Sequence, residues 1–338
     1  MRVGRYVLRR VLSLPLILFS LATLTFVISH VVPGDPLRVM GGGRIPLWKI
    51  EEMRHSLGLD KPLWEQYVNY MLALLKLDFG MSLYTKRPVI LDLLEYFPAT
   101  LELTTVAMII TLVVGIPLGV ISATKKNSLV SHAVRLFSIG GVAMPAFWLA
   151  LLVQFAFSYK LGWLPFQGQI GSFIPAPTRY TGLLIVDSIL SGNMAALLSA
   201  ITHIIGPALV LSYVSMATVT RMLGGSMLDV LHENYVKTAK AKGLSQRTVI
   251  YKHALRNALI PTTTELGLSY GYLLGGSILI EEVFAWPGLG RYAAEAMLAL
   301  DFPAIIGVTV LMGLIYVFVN LAVDLAYVFL DPRIRIHG

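Results

Sequence analysis

Six long apolar stretches, separated by more polar segments, dominate the sequence. Each is long enough to cross a bilayer, because roughly 20 apolar residues span the hydrocarbon core as a helix. Several contain glycine or proline, which membrane helices tolerate when neighbouring groups satisfy the freed backbone. The pattern predicts an all-α membrane protein with six transmembrane helices, near 9–32, 99–122, 136–158, 196–221, 259–283 and 303–330.

The distribution of lysine and arginine predicts the orientation of these helices. With the N-terminus inside, the cytoplasmic segments hold 16 of the 27 Lys and Arg residues. Eight of the others lie in the long segment 33–98 beside eight acidic residues, and long segments cross the membrane regardless of charge. The two short outer segments hold only Lys160, Arg179 and Arg291. Both termini are therefore expected to be cytoplasmic.

This orientation divides the chain into four parts. They are an N-terminal tail with the first helix, an extracytoplasmic subdomain, a five-helix core that contains a cytoplasmic loop at 222–258, and a cytoplasmic tail. The subdomain either caps the outer face or docks a soluble partner, and it shows helical patterns at 47–57 and 62–77. In order, the parts cover residues 1–32, 33–98, 99–330 and 331–338.

Composition agrees with a membrane protein and excludes several other classes. The 338 residues are 56% hydrophobic and 14% charged, which is more apolar than a soluble domain can bury. The net charge of +8 follows from basic residues beside the apolar stretches, so no nucleic-acid partner is expected. The chain has no cysteine, which excludes disulfides and cysteine-based metal or redox chemistry.

Motifs for catalysis are also missing from the sequence. It contains no G-x-x-x-x-G-K-[ST] phosphate loop and no H-E-x-x-H pair. The seven histidines show no metal-ligand spacing. We therefore expect a non-catalytic chain with no metal and no cofactor of its own.

Polar side chains inside the apolar stretches are candidates for a transport path. A charged group costs several kcal/mol in lipid, so each should face protein or water. As a proton or cation relay they would make the chain an ion-coupled secondary transporter that works without an ATPase. Alternatively, they line a polar cavity or brace helix contacts, and the scattered positions favour this second reading. The candidates are Glu102, His203, Glu265 and Asp324, with Glu281 and Glu282 at the outer end of the fifth stretch.

A basic segment from Asn234 to Pro261 separates the fourth and fifth apolar stretches. Gly243 can adopt the left-handed conformation that ends a helix, and Ser245 offers an N-cap for the next one. The pattern predicts two short helices joined at Gly243 and offered to a soluble partner. An ordinary cytoplasmic loop is the alternative, and charge alone favours it.

Several segments resemble the permeases of ATP-binding-cassette (ABC) importers, in the branch that imports peptides and nickel. Residues 237–243 are similar to the cytoplasmic Glu-Ala-Ala loop whose helix docks on the ATPase, although Lys237 and Thr238 replace the Glu and the first Ala. The other similar stretches extend from the first helix to the C-terminus. They are VVPGDP (31–36), LGLDKPLWEQYVNY (57–70), DFGMSL (78–83), TAKAKGLS (238–245), HALRNALIP (253–261), EEVFAWPGLGRY (281–292) and DPRIR (331–335).

The resemblance implies a type I ABC importer permease fold in the inner membrane of a prokaryote, as the first of two related permease subunits. It also implies two cytoplasmic ATPase subunits, which bind ATP and Mg, and an extracytoplasmic solute-binding protein. Di- or oligopeptides are the implied cargo, although nickel and oligosaccharide importers share these motifs.

The resemblance further assigns residues to two contact surfaces. Segment 234–243 is implied to be a coupling helix that contacts the ATPase, and segments 33–98 and 285–302 are implied to meet the binding protein. The implied coupling residues are Tyr235, Val236, Lys237, Ala239, Lys240 and Gly243. The implied docking residues of the outer face are Asp35, Trp286 and Arg291.

Overall fold

The structure is a computed structural model that describes residues 3–31, 46–56, 58, 60–125 and 127–330. Within those ranges every regular element is a helix, and one isolated backbone pairing joins Met81 to Pro88 in an irregular segment, which confirms the all-α class. The helices are α1 (Val3–Val31), α2 (Leu47–Ser56), α3 (Leu63–Leu75), α4 (Val89–Thr124), α5 (Leu129–Ala143), α6 (Ala146–Val153), α7 (Leu184–Leu190), α8 (Met194–Leu231), α9 (Asn234–Ala241), α10 (Gln246–Thr248), α11 (Leu255–Val283), α12 (Leu289–Leu298) and α13 (Phe302–Leu330). Two π-helical segments continue α6 over Gln154–Lys160 and join α10 to α11 over Val249–Ala254.

Three of these helices are long and apolar enough to cross a membrane, namely α4, α8 and residues 302–323 of α13. The bent pair of α5 and α6 with its π continuation makes a fourth. The predicted spans 9–32 and 259–283 coincide with α1 and α11. In α11, however, Arg256, Glu265 and Glu281 lower the apolar content. By length and composition, the structure supports three to four of the six predicted spans.

Pro145 breaks the predicted span 136–158 between α5 and α6. Its ring disfavours the helical conformation in the residue before it, and Met144 is extended, with φ −91° and ψ 129°. The chain bends by 111° at this point. A new helix starts at once, because the Leu149 N–H bonds to the Pro145 carbonyl at 3.1 Å. The apolar pattern alone predicted one continuous span over 136–158.

Close contacts through glycine hold α4, α5 and α8 together. A Cβ added at Gly119 of α4 would lie 2.9 Å from Leu223 Cβ of α8. On another side of α8, a Cβ at Gly141 of α5 would lie 2.5 Å from Ala217 Cβ. Such small residues let helix backbones approach closely, which is the main source of packing energy between helices in a membrane.

The two ends of the bundle differ, and we name them by what they hold. At the α9 end, α9 packs beside the last turn of α8. At the Trp286 end, the indole of Trp286 is buried near the start of the span in α4. Helices α1 and α13 are in contact, because Leu21 packs against the backbone of Gly313.

Replacing Gly141 by Val should push α5 away from α8, because the new side chain would overlap Ala217 and approach the Tyr213 carbonyl. We expect the folded state to lose about 1–3 kcal/mol, seen as a lower melting temperature of the assembled protein in detergent. Gly225→Ala is the control, since its added Cβ meets no heavy atom within 4 Å. Equal melting temperatures for the two variants would contradict this packing.

Candidate functional site

The short helix α9 is fixed to the rest of the chain by its inner face. Val236 and Ala239 are buried there, and Val236 is fully enclosed. They pack with Val249 of the π segment, and Val230 and Leu231 of α8 complete the cluster. Tyr235 adds a polar contact, because its hydroxyl accepts a hydrogen bond of 2.7 Å from Asn257 Nδ2 at the start of α11. A force on α9 therefore reaches both α8 and α11.

Gly243 ends α9 in the way that its position in the sequence predicts. Its φ is +76°, in the left-handed region. The N–H of Gly243 bonds to the Lys240 carbonyl at 3.0 Å, and that of Leu244 bonds to the Ala239 carbonyl at 3.4 Å. These two bonds form a Schellman motif. Ser245 then caps the next helix, as predicted, by accepting the Thr248 N–H at 3.3 Å.

The outer face of α9 is open to a partner. Tyr235, Lys237, Lys240 and Gly243 are all exposed, and they follow one another over the two turns of the helix and its end. Their exposure fits the contact role that the resemblance implies. Val236 and Ala239 do not fit it, because their side chains are enclosed by this chain's own helices. These two residues position the helix instead of touching a second subunit.

At the Trp286 end, the buried carboxylate of Glu281 joins three parts of the chain. Its Oε1 accepts the Thr100 hydroxyl of α4 at 2.7 Å. Its Oε2 accepts the N–H groups of Gly290 and Arg291 at 2.7 and 3.1 Å, so that it caps the first turn of α12. Gly288 leaves room for this carboxylate, since a Cβ there would lie 2.4 Å from Oε2.

Trp286 belongs to the same buried turn. Its indole Nε1 donates to the Ala99 carbonyl at 2.9 Å, and the side chain has no exposed surface. The docking role predicted for Trp286 is therefore wrong. Arg291 differs, because its guanidinium is partly exposed and lies 3.2 Å from Glu295 Oε1. The predicted docking residue Asp35 lies outside the residues that the structure describes.

Two further buried acids fix the loop 76–88 beside α12 and α13. Asp301 accepts the Ser82 hydroxyl at 2.6 Å and the Tyr84 N–H at 3.0 Å, and it also caps α13. Asp92 accepts the Tyr292 hydroxyl at 3.1 Å. Burial and the Asp92 carboxylate raise the pKa of Tyr292, so this phenol remains a donor at physiological pH. Sequence reasoning missed both acids, because their partners lie about 200 residues away.

Glu102 and Asp187 hold the segment between α6 and α8. Glu102 accepts the Ile185 N–H of α7 at 2.7 Å and Gln169 Nε2 at 2.9 Å. The Asp187 carboxylate accepts the N–H groups of Thr181 and Gly182 at 2.8 and 2.9 Å. Burial alone would raise the pKa of Asp187, but these donors outweigh it and lower the pKa. Glu102 thus braces the fold, as one of the two readings predicted.

The remaining predicted polar residues do not gather at one site. His203 Nδ1 lies 2.7 Å from the Ser199 carbonyl, so it is hydrogen-bonded within its own helix. Glu265 is half-buried on α11, and within the described ranges no polar partner contacts its carboxylate. Asp324 belongs to α13, but its side chain lies outside the described residues.

Comparison with known proteins places this geometry in a family. Residues 115–336 match the family described as binding-protein-dependent transport system inner membrane component. Residues 3–104 match its N-terminal companion, described as binding-protein-dependent transport system membrane component, N-terminal. The chain belongs to this family. It is a multi-pass protein of the inner membrane and a permease component of a transport system.

Similar permeases extend over nearly the whole chain. The probable D,D-dipeptide transport system permease protein of Escherichia coli (strain K12) is 43% identical over 96% of each chain. The dipeptide transport system permease protein of Alkalihalophilus pseudofirmus is 42% identical over 98% of this chain and 99% of its own. The glutathione transport system permease protein of Escherichia coli O1:K1 / APEC is 36% identical over 98% of each chain.

Glu281→Ala should loosen α12 from the permease, because the Thr100 hydroxyl and two backbone N–H groups would be buried without their acceptor. Each such group costs about 1–3 kcal/mol. We expect a lower melting temperature and faster protease cleavage between residues 285 and 302. Glu282→Ala is the matched control, since the neighbouring carboxylate is exposed. If the two variants are cleaved equally fast, Glu281 does not hold this turn.

Proposed function

We propose that this permease forms half of the translocation path of an ATP-driven importer of di- or oligopeptides. The observation that carries the proposal is α9, a rigidly attached helix with an exposed outer face, at one end of a membrane bundle. The names of the similar permeases support a peptide cargo. In this proposal all six predicted spans cross the membrane, and the α9 end and both termini are cytoplasmic.

The energy for transport must then come from separate chains. The sequence has no phosphate-binding loop, so two ATPase subunits bind ATP and Mg, and one of them receives the outer face of α9. Closure of the ATPases pushes α9, and the contacts of α9 pass the movement to α8 and α11. A rigid contact suits this role, because a flexible loop would absorb the displacement before it reached the spans.

A second permease is proposed to complete the path beside α11. Along this helix a row of residues at three- and four-residue spacing is exposed in the single chain, and Glu265 lies next to it. In a bundle closed on all sides these positions would be covered. The exposed residues are Thr264, Leu268, Tyr272, Gly275 and Leu279.

The Trp286 end is proposed to receive the solute-binding protein, with Arg291 as a contact because it remains partly exposed. The buried acids of this end hold the receiving surface in shape. The alternative function, ion-coupled transport without an ATPase, has less support. Glu102 and Glu281 each accept fixed N–H and O–H donors, so neither belongs to a continuous chain of titrating groups.

Reconstituting the complete transporter tests the proposal directly. Vesicles that contain both permeases, the two ATPases and the binding protein should accumulate labelled dipeptide when ATP is present on the α9 side. Uptake should stop when either ATPase is omitted, and a proton or sodium gradient should not replace ATP. Gradient-driven uptake by the permeases alone would establish the ion-coupled alternative.

Substitutions on the two faces of α9 should have different consequences. Ala241→Glu adds a charged side chain to the exposed face, so we expect at least tenfold slower uptake at unchanged thermal stability. Ala239→Asp buries a charge against α8, and about 3 kcal/mol or more of stability should be lost together with uptake. Gln246→Glu, an exposed change beside α9, is the control. Wild-type uptake by Ala241→Glu would show that this face is not the ATPase contact.

A further inference from the structure

A cavity of about 380 Å³ opens between α4, α5 and α8 in the half of the bundle nearer α9. The proposed function gives it no role. Its lining contains two arginines, Arg135 of α5 and Arg221 of α8. The other lining residues are hydroxyl, glycine or apolar side chains, namely Ser122, Val134, Ser138, Ile139, Thr220, Gly224, Gly225 and Leu228.

Within the described ranges, neither guanidinium group has a counter-ion. No ion pair or hydrogen bond joins Arg135 or Arg221 to another residue in the part of the chain that the structure describes. The nearby hydroxyl groups carry no negative charge that could pair with the arginines. The Ser122 hydroxyl, for example, donates a hydrogen bond of 2.8 Å to the Gly119 carbonyl. Both arginines are exposed and line a cavity that holds no acidic side chain, so an anion from outside the chain would neutralise two unpaired positive charges.

Glycine keeps this cavity open. A Cβ at Gly224 would lie 2.4 Å from Ser122 Oγ, so only glycine lets α8 come this close to α4. One residue further, a Cβ at Gly225 would meet nothing within 4 Å, because the position faces the open volume. The space is thus a product of helix packing, and it is large enough for a phosphate group with a short polar extension.

An apolar strip on α5 leads away from the arginines. Ile139 lines the cavity, yet 64% of its surface is exposed, and Leu136 and Val142 beside it are 71% and 53% exposed. Neither a soluble phosphate nor a peptide carboxylate has an apolar part that would cover this strip. The acyl chains of a lipid would cover it while the head group reached the guanidiniums.

The depth of the cavity also suits a head group. Arg135 lies six residues into α5 and Arg221 lies ten residues before the end of α8. At 1.5 Å per residue, both lie within roughly 15 Å of the helix ends. Arginine side chains reach toward the interface from such depths, and basic pockets between spanning helices on the cytoplasmic side bind anionic head groups.

We propose that Arg135 and Arg221 form a binding site for the phosphate of an anionic phospholipid of the inner leaflet. Arginine suits this ligand, because its planar fork of donors matches phosphate oxygens in a bidentate manner. A bound lipid would link α5 to α8, the helix that α9 moves. The inference rests on the proposed orientation, which puts the α9 end in the cytoplasmic leaflet.

The test measures lipid retention by the complete transporter complex. The complex is purified from membranes that contain phosphatidylglycerol, and the retained lipids are counted by native mass spectrometry. Relative to wild type, the double variant Arg135→Gln/Arg221→Gln should lose one retained phosphatidylglycerol per permease, with at least a tenfold lower affinity on titration. Gly225→Leu, which fills the cavity and leaves both arginines in place, should lose the same lipid.

Lys125→Gln removes an exposed positive charge at the same side, outside the cavity, and should retain lipid as wild type does. Unchanged retention by both cavity variants would overturn the proposal. Displacement of the lipid by inorganic phosphate at equal concentration would identify a site for free phosphate instead. A raised KM for peptide uptake with unchanged lipid retention would identify a peptide contact. ATP-driven peptide uptake is measured with the same preparations. This measurement distinguishes the loss of a lipid site from a failure of the proposed transport function.

Discussion

The structure of the Trp286 end depends on the buried carboxylate of Glu281, which accepts hydrogen bonds from two other helices. Inside an apolar bundle every backbone N–H needs an acceptor, and the first turn of a helix has none of its own. Glu281 supplies that acceptor to α12 and accepts the Thr100 hydroxyl of α4 at the same time. The chain can therefore turn back into the bundle after α11 without leaving polar groups unpaired.

Other buried acids at the Trp286 end also accept backbone N–H groups that have no partner within their own helix or turn. Asp301 caps α13, Asp187 orders the turn before α7, and Glu102 accepts the first N–H groups of α7. Two of the acids that suggest an ion path in the sequence, Glu102 and Glu281, are thus structural acceptors. Several helices start at this end, and the first turn of each carries unpaired N–H groups that such acids can accept.

Sequence reasoning was most successful where the determining chemistry is local. Gly243 and Ser245 act through their own backbone and neighbours, so their roles could be read from turn and capping rules. The proline break at Pro145 is equally local, but the apolar pattern conceals it because both sides of the break are hydrophobic. Trp286 was misassigned, since the acceptor of its indole, the Ala99 carbonyl, lies 187 residues away. Likewise, hydropathy could not show that Val236 and Ala239 face inward, because α8 supplies their partners.

The two ends of the bundle are joined by different kinds of contact, and this has a mechanical consequence. Directional hydrogen bonds to Glu281, Asp301 and Glu102 resist sliding at the Trp286 end. Near α9 most buried contacts are between apolar side chains, among them Ala123, Leu223, Met227 and Ala258, beside the hydrogen bond between Tyr235 and Asn257. If α9 receives a push as proposed, the hydrogen-bonded Trp286 end would serve as the pivot of the movement. The largest displacement would then occur at the α9 end, where the push is applied.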